Sequence, residues 1–257
     1  MVLFWRLVLA HVVADFPLQT DAVFLIKKRF SWGVLLHGAI FALTSILATG
    51  PYLNSSPFWG GLFLLWLFHA AVDKAKLSIG SSGRGDHVGF FLLDQMLHVG
   101  AIGLISLFFG RGPQATVLAE SSAALIPKLK LGVAYVIAIW VSPLLAFYIR
   151  ADYARFRTSR SRTADAGSSQ QAPEQVPEQT LGHLAQPPTP WRIMGYVERG
   201  CLVAVITQGS RLLFLIPLIL LPRVGLRVSA GRRGAFLWEL VVGSLVALSM
   251  GLWGSSI

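Results

Sequence analysis

Three pairs of ionisable side chains stand four residues apart inside otherwise apolar stretches: His11 and Asp15, His69 and Asp73, Asp94 and His98. On a helix, positions i and i+4 share a face about one turn apart. Each pair is therefore a ready couple of metal ligands or a histidine–carboxylate relay. His37 adds another imidazole in a further apolar stretch. Neutral imidazole and carboxylate suit zinc, iron or manganese, so these seven residues form a ligand set for one or two divalent ions. A bound ion makes a water nucleophilic near neutral pH, and a spare carboxylate takes its proton. Asp15 serves as ligand or base, and Lys76 is the other candidate catalytic residue, a cation that orients ligands or substrate. Gln19 and Gln95 stand beside the pairs as groups that orient ligands or substrate.

The elements carrying these residues read as membrane spans. The chain has 257 residues, 54% of them hydrophobic and 13% charged, where a soluble domain carries about 25% charged residues. Mean hydropathy is +0.62. A span needs about 20 mainly apolar residues, and the stretches that qualify are 1–20, 33–50, 58–77, 89–109, 131–149, 193–222 and 235–253. Turn-formers separate the early ones: Gly50-Pro51, then Gly80 to Gly85, then Gly110 to Pro113. Arg6, His11 and Asp15 interrupt what would be the core of a signal peptide, so residues 1–20 read as a retained first span. The predicted fold is an all-α polytopic membrane protein. It comprises a four-helix N-terminal bundle over 1–110, a loop and fifth span over 111–150, and a disordered linker over 151–191. A C-terminal membrane hairpin follows over 192–257.

Charge orients this arrangement. Lys+Arg number 22 against 12 Asp+Glu, a formal excess of +10. The cations sit between the apolar stretches, where they meet lipid headgroups, and no basic patch with interleaved aromatics points to nucleic acid. Lys27, Lys28 and Arg29 follow the first span, Lys74, Lys76 and Arg84 the third, and Arg150, Arg155, Arg157, Arg160 and Arg162 the fifth. By the positive-inside rule the N-terminus lies outside and the linker in the cytoplasm. Arg223, Arg227, Arg232 and Arg233 break this pattern unless 193–222, interrupted at Gln208 to Arg211, is a re-entrant hairpin of two half-helices. Labelling at Ser229 distinguishes that hairpin from a single span. Cys201 is the lone cysteine, so no intrachain disulfide forms. Asp86-His87 reads as a solvated cap before the fourth span, His183 as an inert linker residue, and Glu198-Arg199 as a local ion pair.

With alternating spans, Asp15 and Asp73 lie late in theirs while His37 and Asp94 lie early. All four then share one level in the cytoplasmic half of the bilayer. Ionisable groups in a span are costly and default to a functional reading. Helix–helix glue and a proton or cation pathway use the same residue types, and both stay open beside the metal site.

The strings HVVADFPLQTD from His11, LHG from Leu36, FHAAVDKAK from Phe68 and FLLDQMLH from Phe91 resemble the DUF3307 family of bacterial membrane proteins. IMGYVERGCL from Ile193 resembles the segment that closes its longer members. The resemblance implies a multi-pass protein of the bacterial cytoplasmic (inner) membrane, and it supplies no reaction. The reading that follows from the residues is a membrane-embedded, metal-dependent hydrolase acting on a lipid-like small molecule at the cytoplasmic leaflet. A proton- or cation-coupled transporter component and a structural or regulatory scaffold are the alternatives. Membrane lipids are the expected partners, and homo-oligomerisation is left open.

Overall fold

The computed structural model describes residues 1–80, 87–109, 124–164, 190–208, 215–216, 219–220 and 233–255. Among them every regular element is helical. The helices are α1 (Val2–Asp15), α2 (Asp21–Arg29), α3 (Gly33–Ala48), α4 (Ser56–Gly80) and α5 (Val88–Phe109), with a 3-10 turn Gly50–Tyr52 between α3 and α4. A long helix α6 runs as Leu125–Val136, a π-helical segment Ile137–Val141 and Ser142–Ala164. Helices α7 (Pro190–Thr207) and α8 (Arg233–Ser255) complete the described chain.

Helix α1 is shorter than the expected 1–20. Pro17 disfavours helical backbone at the residue before it, and Phe16 leaves the helix at φ −117, ψ −71. At 14 residues, α1 is about 21 Å long at 1.5 Å per residue. The segment 21–29, expected as a cationic loop, is instead a helix. Its N-cap is Thr20, whose Oγ1 accepts from the Val23 N–H at 3.4 Å. Asp21 in its first turn and Lys27, Lys28 and Arg29 in its last oppose the helix dipole favourably. Gly33 then lets α3 start against the backbone of α2, since a Cβ there would overlap the Ile26 carbonyl and come within 2.6 Å of Lys27 Cα.

Helix α1 packs against α3, α5 and α6, α3 against α4, and α4 against α5. Leu3, Leu7, Phe41, Phe58, Leu65, Ile102 and Val133 fill the space they enclose. Helices α7 and α8 pair with each other and lean on α6, around Ala138, Leu202, Val203 and Ala247. The π-helical segment has a local cause. Pro143 has no N–H to give the carbonyl four residues back, and Arg199, buried at 1% exposure, donates to that Ile139 oxygen at 3.3 Å. Glu198-Arg199, expected as an ordinary ion pair near the start of the C-terminal apolar region, is thus buried at 4% and 1% exposure in the helix interface.

Two further expectations are revised. Helix α6 continues to Ala164, so its basic residues 150–162 are helical, where a disordered linker was expected. His87 is not simply solvated: its Nδ1 lies 2.8 Å from Asp152 Oδ1, and Asp152 Oδ2 accepts the Val88 N–H at 2.9 Å. Asp152 of α6 therefore caps α5 from 64 residues away. In the C-terminal region α7 stops at Thr207, so no single helix spans 193–222. The second half-helix, Ser229, Arg223, Arg227 and Arg232, the turns at 81–86 and 110–113, and residues 165–189 with His183 lie outside the described residues.

The interior combines an apolar core with ionisable groups: His11, His37, His69, His98 and Arg199 rank among the largest fully buried side chains beside Leu3, Leu7, Phe41 and Phe58, while Leu43, Leu47, Phe63, Leu64, Leu104 and Phe108 are exposed. Among the described residues two helices are long and apolar enough to cross a membrane, Val88–Phe109 and Leu125–Arg157, and Gly33–Ala48 and Leu240–Ser255 are shorter apolar helices.

Candidate metal centre

The enclosed space between α1, α3, α4 and α5 holds all seven expected ligands. His11 and Asp15 come from the last turns of α1, His37 from the first turns of α3, His69 and Asp73 from α4, and Asp94 and His98 from α5. The i, i+4 spacing does its expected work: His11 Nδ1 to Asp15 Oδ1 is 3.7 Å, His69 Nε2 to Asp73 Oδ2 is 3.6 Å, and His98 Nδ1 to Asp94 Oδ1 is 3.7 Å. The pairs also meet across helices. Asp15 Oδ1 lies 3.2 Å from His37 Nε2 and 3.5 Å from His69 Nε2, and Asp73 Oδ2 lies 3.5 Å from His37 Nε2. The four imidazoles form one contiguous set, with ring centroids 4.3 Å apart for His69 and His98 and 5.0 Å for His11 and His98. Phe41 stacks on His69 at 4.5 Å and walls the set from above one face.

Most of these spacings are too long for hydrogen bonds, which need 2.7–3.2 Å for a nitrogen donor. They fit another geometry. Two ligands at about 2.0–2.1 Å from a tetrahedral ion are about 3.3 Å from each other, and the four distances linking Asp15 Oδ1 and Asp73 Oδ2 to His37 Nε2 and His69 Nε2 run from 3.2 to 3.6 Å. Buried nitrogens without a hydrogen-bond partner point the same way: both on His69, both on His98, and Nδ1 of His11 and of His37. An unpartnered buried polar group costs about 1–3 kcal/mol, and so many together are donors that a metal ion could satisfy. Three overlapping groups of buried side chains have ligand atoms within 4.8 Å of one another: His11/Asp15/His69, His37/His69/Asp73 and Asp73/Asp94/His98.

The remaining expected residues take defined places. Gln95 donates from Nε2 to Asp94 Oδ2 at 3.0 Å and sets its Oε1 3.3 Å from His11 Nε2, bridging two ligands. Lys76 Nζ lies 2.6 Å from Asp94 Oδ2, with a third of its side chain still exposed. Gln19 sits in the turn after α1 and accepts from Lys27 Nζ at 3.3 Å. Lys27 is the residue that sequence reasoning missed. Expected as a loop cation, it is 7% exposed and reaches Asp73 Oδ2 at 2.6 Å.

Residues 3–126 match the DUF3307 family model, described as a protein of unknown function. The matched DUF3307 segment contains α1 to α5 and with them every member of the cluster, whereas Asp152, Arg199 and the α7–α8 pair lie beyond it. No curated protein and no solved structure matches the chain.

Proposed function

We propose that this chain is a multi-pass protein of the bacterial cytoplasmic membrane that uses a divalent metal to hydrolyse a lipid-like or isoprenoid-linked substrate at the cytoplasmic leaflet. The observation that carries this reading is the convergence of His37 and His69 on Asp15 and Asp73 at 3.2–3.6 Å, where only the His37–Asp15 contact is short enough for a hydrogen bond, together with the unpartnered buried imidazole nitrogens. Helix–helix glue would close those gaps to hydrogen-bond length. Zinc, iron or manganese suits the donor set. When bound, such an ion supplies Lewis acidity and an activated water.

The chain's own residues provide the rest. His11, Asp15, His37, His69, Asp73, Asp94 and His98 are the candidate ligands, and whichever carboxylate is not bound to the ion serves as base, with Asp15 the best placed. Gln95 fixes the orientation of His11 and Asp94. Lys76, the most exposed charged group at the cluster, is the one that meets a substrate arriving from the membrane boundary. In the proposed topology the N-terminus lies outside, the segment after Ala164 lies in the cytoplasm, and the cluster opens toward the inner leaflet, where Lys28 and Arg29 meet anionic headgroups.

The test is hydrolysis of ester- and phosphoester-linked lipids by the full chain in mixed micelles, after chelation and after return of zinc, iron or manganese. Turnover restored by one metal in the wild type and absent in Asp15→Asn and His69→Ala is the expected result. Undiminished turnover in both variants would contradict the reading. The contiguous imidazoles favour one alternative, a proton or cation relay. Flux in proteoliposomes that Asp73→Asn abolishes, with no hydrolysis under any metal, would establish that instead.

A further inference from the structure

The three ligand groups are not equivalent once Lys27 and Lys76 are placed. Lys27 Nζ holds Asp73 Oδ2 at 2.6 Å and Lys76 Nζ holds Asp94 Oδ2 at 2.6 Å. The group Asp73/Asp94/His98 thus carries an ammonium on each of its carboxylates, and the group His11/Asp15/His69 carries none. These two groups share no residue, so they are the two positions that a pair of ions would take together. From this we infer that Lys27 and Lys76 are resident cations standing in for a second metal, and that they restrict the cluster to one divalent ion held by His11, Asp15 and His69, with Asp73 taken up by Lys27 and His37 left to orient Asp15. The inference rests on the metal reading above and adds its stoichiometry and its place.

Charge supports the division. The cluster's carboxylates are Asp15, Asp73 and Asp94, and the two ammonium groups leave one net negative charge when the imidazoles are counted as neutral metal ligands. One divalent ion with one anionic ligand brings that to zero. A second divalent ion would add two uncompensated positive charges in a low-dielectric interior, where unpaired charge is strongly disfavoured. It would also meet Lys27 and Lys76 at the same carboxylates. Asp15 differs in kind: its Oδ1 faces His11, His37 and His69 within 3.7 Å, with no lysine or arginine among the described residues paired to it. His37 at 3.2 Å fixes the carboxylate that binds the ion.

The experiment loads the full chain in detergent with Mn²⁺ alone, removes the excess, and counts manganese per chain by mass spectrometry beside the electron paramagnetic resonance spectrum. The wild type is expected to hold one ion with an isolated-ion spectrum. Lys27→Met and Lys76→Met each replace an ammonium by an uncharged chain of similar length. Their combination is expected to hold two ions with a spectrum broadened by the neighbouring spin, and Lys76→Met alone, at the more exposed position, gives a partial gain where Lys27→Met does not accumulate. A count that stays at one in Lys76→Met and in every other lysine variant that folds would overturn the inference, as would two ions in the wild type. A wild type that holds no manganese, zinc or iron would overturn the metal reading itself, which is a different failure.

Discussion

The ion pair between Lys27 and Asp73 makes the sharpest energetic prediction. The two side chains are 7% and 3% exposed and 2.6 Å apart, so neither charge has water to fall back on. Removing one partner of a buried pair costs about 3–5 kcal/mol because it strands the other. For a chain of this size each kcal/mol lowers Tm by about 2–4 °C, so Asp73→Asn and Lys27→Met should each lower it by about 6–20 °C. The double variant strands nothing and should lie well above the sum of the single losses, with a coupling of at least about 2 kcal/mol, against about 0.5 kcal/mol for independent sites. The assay is thermal unfolding of all four proteins in one detergent with chelator present, so that metal binding does not enter. Additive losses would refute the placement of Lys27 in the cluster and with it the reading of α2 as part of the site.

Gly33→Ala should act on the same pair from the backbone. The new Cβ overlaps the Ile26 carbonyl, which no rotamer change relieves, and the expected loss is about 1–3 kcal/mol, measured by melting, with a crosslink between α2 and α4 reporting the displacement of Lys27. Asp152→Ala should cost about 0.5–2 kcal/mol by uncapping α5, seen as faster hydrogen exchange at Val88. Gly251→Ala brings a Cβ within 2.8 Å of Ile206 Cβ, between α7 and α8. It should destabilise that pair by about 1–3 kcal/mol while leaving the manganese count of the α1–α5 cluster unchanged.

The cluster was legible in the sequence because its information is local. Three i, i+4 pairs and one lone histidine in apolar stretches fix which side chains share a face, and alternating helix direction puts the faces at one level. What stayed hidden depends on partners far along the chain or on a break in a helix. Lys27 looked like one of three topogenic cations. Only Pro17 ending α1, with Thr20 restarting the chain as a short helix, turns it inward, and the Thr20-Asp21 cap was the local sign of that helix. Asp152 reads as the start of a linker until α6 brings it to the N-terminus of α5. Pro143 foreshadowed an interrupted helix, but nothing near it names Arg199 as the donor that satisfies Ile139. Helix lengths were not legible from apolarity alone: α1 and α3 have 14 and 16 residues against the about 20 that a full span needs. A cluster at a helix end can sit in a shorter helix that enters only part of the bilayer.

The most direct test of the central claim is the metal content of the full chain, purified in detergent without metal-affinity steps, beside His69→Ala. His69 belongs to two of the three ligand groups and touches both Asp15 and Asp73. One zinc, iron or manganese per wild-type chain, lost in His69→Ala while the fold persists, is the predicted result. A wild type with no bound metal, even after reconstitution with excess ion, would contradict the account.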